Sequence, residues 1–320
     1  MLVPFRYSIY PEYCPNTLVR KYESPLMDLR LLGILLLCIM LLVHWTMLRL
    51  QVRGTVLTGA ALWTGFAILM VSLSAIVTTL WPNHRWQAEL HWFALVASFC
   101  PFIARLGAKR PQDRAWFWIV LTFWVVAGWP AWESWLTDRD PASSWLRDAM
   151  FGILVLMQIA DCAATRAWLG SWLLAIGQIL WHPQFQTLFG ESTPFWLVLL
   201  PLVLGVAAMR IVIRAWRPLP PSLKGWDRIW QTIRDRMGVL WGLRIMERFN
   251  ADLEIAREEI RLNWSGFVVK REALPDADDA FPEVAELELN NQLRRFADHD
   301  WIEEIRDQAV GIDSTDAMLS

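Results

Sequence analysis

The sequence contains a run of thirty residues, 54–83, without a single charged side chain. Such a run excludes a surface helix of a soluble domain, because that helix needs a polar face. About twenty consecutive apolar residues are enough to cross the hydrocarbon core of a bilayer. Hydrophobic residues make up 55% of the 320-residue chain, which exceeds the usage of ordinary soluble domains. The sequence therefore predicts an integral membrane protein.

Motifs that carry enzymatic chemistry are also missing from the sequence. It has no phosphate-binding loop, no H-E-x-x-H, no G-x-S-x-G and no dinucleotide-binding glycine fingerprint. The four cysteines, Cys14, Cys38, Cys100 and Cys162, form no C-x-x-C and no cluster with histidine. This spacing predicts neither a metal site nor a redox pair. These absences favour a non-enzymatic protein without a metal, although a membrane enzyme can assemble its site from separate helices.

Seven apolar blocks divide the first two thirds of the chain. They cover residues 29–48, 55–80, 90–106, 115–136, 149–165, 168–181 and 194–213. The blocks are continuously apolar rather than alternating, so they predict helices and not the strands of a barrel. We expect an all-α fold: a polytopic bundle of about seven transmembrane helices, followed by a helical C-terminal domain. The sixth block is the shortest, and a re-entrant segment is the alternative there.

The basic residues of the short loops predict the orientation of the bundle. Loops after the first, third and fifth blocks carry seven Lys or Arg residues, and the other three loops carry three. Because basic loops stay in the cytoplasm, we expect the N-terminal tail 1–28 outside and the C-terminal part inside. Four basic residues at the N-terminus, Arg6, Arg20, Lys21 and Arg30, oppose this orientation. Only four of the 30 basic residues are Lys, and this usage favours a bacterial inner membrane.

Charge separates the bundle, 29–216, from the C-terminal part of the chain. The juxtamembrane segment 217–271 begins with clustered prolines that end the last span. Residues 226–264 then predict one amphipathic helix, with an apolar stripe at spacings of three and four. The stripe comprises Val239, Leu243, Met246, Phe249, Leu253, Ala256 and Ile260. It is compatible with a helix lying on the anionic membrane surface and equally with one packed against protein.

The tail 272–320 is acidic, with 14 Asp or Glu and three Arg residues. We expect a short strand at 266–270, a helix from Pro282 to Phe296 and a last short helix after Asp300. An acidic surface of this kind either remains solvated or docks a basic protein partner. Nucleic-acid binding is not expected, because phosphate recognition needs a basic surface.

Polar side chains inside the apolar blocks are the first candidates for a site. Asp161 lies in the fifth block, where a carboxylate usually faces the bundle interior. Gln158 and Thr165 share its face at helical spacing, and Arg166 is close enough in sequence to be its partner. This group predicts a proton or cation site, or a paired carboxyl that helps the helices pack. His44, in the first block, is a helix-contact residue or a proton relay.

A second candidate face lies at the predicted outer side. It combines His84, His91 and His182 with a tryptophan-rich segment containing Trp129, Trp132 and Trp135. This combination resembles the haem-handling proteins of cytochrome c assembly, which join an outer Trp-rich segment to flanking histidines. The W-x-W-D ending of that family is absent here. The resemblance implies haem as a cofactor, with imidazole ligands to the iron.

The sequence thus favours a non-enzymatic scaffold or regulatory protein in the lipid bilayer, whose cytoplasmic tail binds a protein partner. A transporter or channel-like protein that uses Asp161 is the alternative. A membrane enzyme or haem handler comes third. The sequence predicts no oligomeric state.

Overall fold

A computed structural model describes residues 24–81, 87–109, 113–137, 145–187, 194–217, 225–256, 260–269 and 283–304. Within these ranges the chain forms twelve numbered helices, a further helical segment at 299–304 and one antiparallel hairpin. The helices of the apolar region are α1 (Ser24–Gln51), α2 (Thr58–Leu80), α3 (Gln87–Leu106), α4 (Asp113–Ala127), α5 (Trp129–Thr137), α6 (Trp145–Cys162), α7 (Trp168–Trp181), α8 (Pro183–Thr187) and α9 (Phe195–Ala215). The remaining elements are α10 (Gly225–Met237), α11 (Val239–Ile255), β1 (Ile260–Asn263), β2 (Gly266–Val269) and α12 (Glu283–Leu293).

The all-α membrane fold predicted from the sequence is confirmed in its coarse form. By length and composition α1, α2, α3 and α9 are able to cross a membrane, and the α4–α5 pair, bent by 46°, makes a fifth candidate. The bend lies at Gly128 and Pro130, and a proline lacks the N–H that would continue the helix. The predicted count of seven is not confirmed. Helix α6 carries three charged residues, and α7 has only 14 residues.

The apolar helices pack side by side as a bundle. Helix α2 packs against α1 and α3, while α9 packs against α1 and α7. Two hydrophobic clusters fill the bundle interior, the larger around Ile34, Leu95, Phe99 and Leu202 and the smaller around Trp63, Cys100, Ala104 and Val120. The three cysteines within the described ranges are unpaired and buried, as expected for Cys acting as a small hydrophobe.

One end of the bundle, which we call the proximal end, contains the last turns of α1, α3, α6 and α9. Gln51 at the end of α1 donates a hydrogen bond to the carbonyl oxygen of Ile213 near the end of α9 (3.3 Å). Arg105 near the end of α3 forms an ion pair with Asp161 near the end of α6. These four helices therefore run toward the same end.

The opposite, distal end contains the beginnings of α3 and α6 and the ends of α4 and α7. Trp92 of α3 donates to the carbonyl oxygen of Ala127, the last residue of α4 (2.9 Å). Gln184, just beyond α7, donates to Asp148 near the start of α6 (2.8 Å). Together with the proximal contacts, these bonds show that α1, α3, α6 and α9 run toward the proximal end and that α4 and α7 run toward the distal end.

The C-terminal domain, α10–α12 with the hairpin, covers the proximal end. One continuous hydrophobic core joins the two parts. From the bundle it includes Leu48, Val52, Leu57, Ala61, Ala167, Ile213 and Trp216, and from the domain Ile229, Trp230, Ile233, Met237, Ile245, Phe249, Leu253, Leu289 and Leu293. The amphipathic segment is thus packed against protein, which decides between the two arrangements that its sequence allowed.

The prediction of a single helix over residues 226–264 is wrong. The chain breaks at Gly238, whose φ is +85°, and α11 ends at Ile255. Residues 260–269 form a hairpin in which Ile260 pairs with Val269 and Asn263 with Gly266. The predicted strand at 266–270 is confirmed as β2, and the predicted helix from 282 as α12. Phe249 and Leu253 of the predicted stripe are buried, but Leu243 is exposed.

Several predictions fall on residues outside the described ranges. These are the N-terminal tail up to residue 23, most of the proline cluster, His84, and the acidic residues of 270–282 and 305–320.

Candidate functional site at the junction of bundle and C-terminal domain

Asp161 lies where the bundle meets the C-terminal domain. It is in the last turn of α6 and is only 2% exposed. Its Oδ2 atom pairs with Nη2 of Arg105 from α3. Its Oδ1 atom accepts a hydrogen bond from the backbone N–H of Leu240 in the first turn of α11 (3.1 Å). One carboxylate therefore holds two bundle helices and the C-terminal domain together.

The bond to Leu240 takes the place of a helix cap. The first N–H groups of a helix have no partner within it, and they attract negative charge. Gly238, at the N-cap position of α11, has no side chain that caps these groups. A carboxylate from another helix satisfies one of them instead. The first turn of α11 is thereby tied to the position of Asp161.

Gly238 permits this close approach. Its φ of +85° and ψ of 178° lie in a region that is essentially restricted to glycine. A Cβ atom at this position would lie 2.6 Å from Oδ2 and 2.7 Å from Oδ1 of Asp161. The break between α10 and α11 and the position of the carboxylate therefore depend on the same missing side chain.

A second buried carboxylate, Asp235 of α10, reinforces the junction. It accepts hydrogen bonds from Nε of Arg166 (2.5 Å), which follows α6, and from Nη2 of Arg234 (2.9 Å). The backbone carbonyl of Asp235 accepts from the indole of Trp216 at the end of α9 (3.0 Å). Charge-assisted bonds of this kind are stronger than neutral ones, so the two parts are held by more than apolar packing.

Arg236 and two indoles complete the connection. The guanidinium of Arg236 donates to the carbonyl oxygens of Gln51 and Trp216, both at 3.2 Å. Burial, together with the positive charge of Arg166, lowers the pKa of Arg236 to about 10. The side chain thus remains charged at neutral pH. The indole of Trp241 donates to the carbonyl oxygen of Arg105 (3.0 Å).

The sequence pattern predicts that Gln158 and Thr165 share a helix face with Asp161, and the structure confirms only part of this prediction. Gln158 and Thr165 are both buried with Asp161, but α6 ends at Cys162, so Thr165 is not on the same helix. Its hydroxyl donates to the carbonyl oxygen of Cys162 (2.8 Å). The expected pairing of Asp161 with Arg166 is wrong, because the turn after α6 directs Arg166 to Asp235.

A cavity of about 250 Å³ extends through the bundle interior from Trp181 near the distal end to Arg105 and Trp216 at the proximal end. Small residues leave this space open: Ala61, Ala67, Ala94, Gly170, Gly177, Gly205 and Ala208. An engineered cavity of about 150 Å³ is enough to take up benzene. The volume therefore suits a small apolar molecule or part of an aliphatic chain.

Four of the uncharged polar side chains that line the cavity, Ser98, Gln158, Ser171 and Gln178, form one group. The amide of Gln178 donates to the hydroxyl of Ser98 (2.9 Å) and lies 3.4 Å from the amide oxygen of Gln158. The hydroxyl of Ser171 donates to the backbone carbonyl of Gln158 (3.0 Å). The cavity thus offers hydrogen-bonding groups within an apolar wall, and its charged lining residue, Arg105, is already paired with Asp161.

His44 forms a local contact within α1. Its Nδ1 atom lies 2.7 Å from the carbonyl oxygen of Met40, one turn earlier. This bond fits a histidine that is satisfied within its own helix. The proton-relay hypothesis for His44 remains a prediction.

The two described histidines of the predicted outer face lie at the distal end. His91 is buried, with its two ring nitrogens each 3.2 Å from a hydroxyl, of Ser74 and of Thr78. His182 contacts the ring of Phe151 at a centroid distance of 4.7 Å, and its Nε2 atom lies 3.6 Å from Oδ1 of Asp148. The pKa of His182 lies below its ordinary value because the ring is buried, and the charge of Asp148 offsets only part of this shift.

The tryptophan-rich segment forms α5 and its surroundings. Trp132 packs against Phe93 at a centroid distance of 4.8 Å, and Trp129 and Trp135 are exposed. Both ring nitrogens of His91 lie within hydrogen-bonding distance of hydroxyls, and haem binding at this face remains a prediction. Among the described residues there is no group of three or more His, Cys, Asp and Glu side chains that could hold a metal ion.

The residues that sequence patterns missed are Arg105, Gly238 and Trp241. Arg105 lies near the end of the third apolar block, and its side chain turns inward to Asp161. A glycine within an otherwise helical pattern was the one signal for the break at Gly238. No protein-family model, curated protein or solved structure matches the chain.

Proposed function

We propose that this chain is a non-enzymatic regulatory membrane protein. An apolar ligand binds in the cavity inside the bundle and shifts the helices around it. The junction at Asp161 transmits this shift to the C-terminal domain, which binds a protein partner. The observation that carries the proposal is the double contact of Asp161, to Arg105 in the bundle and to the N–H of Leu240 in the domain. A shift of α6 around a ligand would alter both contacts, and a shift of α3 would alter the contact with Arg105.

The lining of the cavity indicates the class of ligand. Its walls are mainly aliphatic, and the polar group formed by Ser98, Gln158, Ser171 and Gln178 consists of uncharged amides and hydroxyls. An uncharged aliphatic molecule with one hydrogen-bonding group fits this lining, because a charged group would be desolvated without a free counter-charge. A medium-chain alcohol such as decanol has these properties and serves as a probe.

The transporter alternative receives less support from this geometry. A carboxylate that carries protons or cations through a membrane must be available for exchange during the cycle. Asp161 is held by a guanidinium and a backbone N–H. Such a pair is better suited to fixing helix positions than to releasing a proton.

Hydrogen exchange tests the coupling. We expect decanol to change the exchange rates of amides at the start of α11 by about fivefold or more, near the lower end of usual coupling between two sites. Ala67→Phe fills the cavity and should abolish the response. The matched control Leu69→Phe, two residues along α2 and 62% exposed, should retain it. Bound decanol, verified by native mass spectrometry, without any change in exchange would contradict the proposal.

We further propose that seven segments cross the membrane, with the C-terminal domain in the cytoplasm, the N-terminal tail outside and a bacterial inner membrane as the location. The alternating directions of the helices support this count, because α6 and α7 then continue the pattern of the longer helices. The charged residues of α6 are Arg147 and Asp148 at one end and Asp161 at the other. They lie where a crossing helix tolerates charge.

Cysteine labelling tests the orientation. In a cysteine-free background, Glu133→Cys places an exposed thiol at the distal end, and Arg53→Cys places one at the proximal end. An impermeant thiol reagent added to intact cells should label the Glu133 variant and leave the Arg53 variant unlabelled until lysis. The reverse pattern would overturn the orientation, and labelling of both would overturn the separation of the two ends by the membrane.

A further inference from the structure

A basic pocket opens between α11 and α12 on the proximal side. It has a volume of about 400 Å³ and is distinct from the cavity inside the bundle. Four cationic side chains line it, Lys109, Arg244, Arg248 and Arg295, together with one carboxylate, that of Glu247. The pocket therefore carries an excess of positive charge.

Carboxylates of the described residues do not neutralise the four cations. None of the ion pairs found within the described ranges involves Lys109, Arg244, Arg248 or Arg295. Arg244 and Arg248 lie one helical turn apart on α11, a spacing at which like charges repel. Gathering these side chains around one space is unfavourable unless an anion occupies it.

The floor of the pocket is rigid and aromatic. Trp241 and Phe296 pack edge to face with a centroid distance of 5.1 Å, and the guanidinium of Arg244 lies over the Trp241 ring at 5.1 Å. The indole N–H of Trp241 is fixed to the carbonyl oxygen of Arg105. Stacking of this kind restrains the direction of a guanidinium, which lowers the entropy lost when it binds a ligand.

The position of the pocket, just beyond the end of α3, indicates that it lies at the level of the membrane surface. Lys109 comes three residues after the end of α3, a helix long and apolar enough to span the bilayer. The floor residue Trp241 contacts the last turn of the same helix. Side chains at this level meet the phosphate groups of the lipid headgroups, and the fork of an arginine matches the geometry of a phosphate.

We propose that this pocket binds a phosphate group, with Arg244, Arg248, Arg295 and Lys109 as its ligands. The phosphate belongs either to the headgroup of an anionic phospholipid or to a soluble phosphate. Its position one turn beyond a span favours the lipid. The site is independent of the cavity and of the proposed regulatory coupling, since none of its four cations lines the cavity.

Isothermal titration of the full-length protein in a nonionic detergent tests the site. The probes are dihexanoylphosphatidylglycerol, the zwitterionic phosphatidylcholine of the same chain length, and inorganic pyrophosphate. We expect saturable binding of the phosphatidylglycerol. Each arginine removed should weaken binding about fivefold, the effect of one cation near an anionic headgroup, so that Arg244→Gln with Arg295→Gln loses about twenty-fivefold. Arg295→Lys keeps the charge but lacks the fork, so it should weaken binding less than Arg295→Gln does.

Arg294→Gln is the matched control, since Arg294 is the neighbouring exposed cation and does not line the pocket. It should change the affinity less than about twofold, because it lies outside the phosphate contacts. Equal losses for Arg294 and Arg295 would mean diffuse surface attraction and would overturn the site. If pyrophosphate binds and phosphatidylglycerol does not, the ligand of the pocket is a soluble phosphate and not a lipid headgroup. Binding of neither anion, or equal binding of the two lipids, would overturn the proposal.

Discussion

Gly238→Ala is expected to loosen the C-terminal domain from the bundle. The substitution strains a backbone conformation that favours glycine, which costs about 1–3 kcal/mol, and it places a methyl group against both oxygens of Asp161. Moving the carboxylate weakens its pair with Arg105, so we expect a total loss of about 3 kcal/mol or more in the free energy of unfolding. Chemical unfolding in detergent, with hydrogen exchange of α10 and α11, measures this effect.

Gly152→Ala provides the control for this experiment. Gly152 lies within α6, and no atom would contact a new Cβ within 4 Å. Because alanine favours a helix over glycine by about 1 kcal/mol, this variant should be as stable as the parent or slightly more so. Equal stability of the Gly238 and Gly152 variants would contradict the close packing of Gly238 against Asp161.

Asp161→Asn is expected to destabilise the junction by about 3 kcal/mol, because the guanidinium of Arg105 then remains buried without a counter-charge. The side-chain oxygen of Asn still accepts the bond from Leu240, so the loss reports mainly on the ion pair. Arg105→Gln combined with Asp161→Asn removes both charges. This double variant should recover much of the stability lost in either single variant, and a double-mutant cycle measures the coupling.

Asp148→Asn is the control for the carboxylate experiment. Asp148 lies at the distal end of the same helix, with its side chain 32% exposed. Asp148→Asn should lower the free energy of unfolding by less than about 1 kcal/mol, as is usual for partly solvated charges. Additive effects of the Arg105 and Asp161 substitutions would argue against a direct pair. They would also restore interest in Asp161 as an independent carboxylate for transport.

Asp161 illustrates how far the sequence leads toward the site. A lone carboxylate in an apolar block predicts a buried and important group, and the structure buries it. The sequence does not identify the partner of Asp161, because Arg105 lies on another helix. The two side chains meet only when α3 and α6 come together in the fold. Arg166, nearer in the sequence, is placed elsewhere by the turn after Cys162. Local spacing predicts contacts within a helix and not between helices.

Gly238 and the hairpin illustrate the limits within the C-terminal domain. The periodic apolar residues after Val239 correctly predict a helix, but periodicity alone does not locate its ends. Glycine is tolerated within many helices, so an unbroken helix was equally compatible with the sequence. The hairpin depends on tertiary bonds, for example the one that the N–H of Phe267 donates to Asp227 of α10 (2.7 Å). Such bonds become visible only when the elements are assembled.

The short helix α7 has a consequence for the bilayer around the protein. Its 14 residues extend over about 21 Å at 1.5 Å per residue, whereas a typical hydrocarbon core is about 30 Å thick. Trp168, Trp172 and Ile176 on this helix are exposed outside the bundle. In the proposed seven-span arrangement, the lipids beside α7 would shorten or tilt to match it, which creates a local zone of hydrophobic mismatch on one flank. Mismatch of this kind sorts proteins between thin and thick membrane regions, so the proposed arrangement predicts a preference for the thinner.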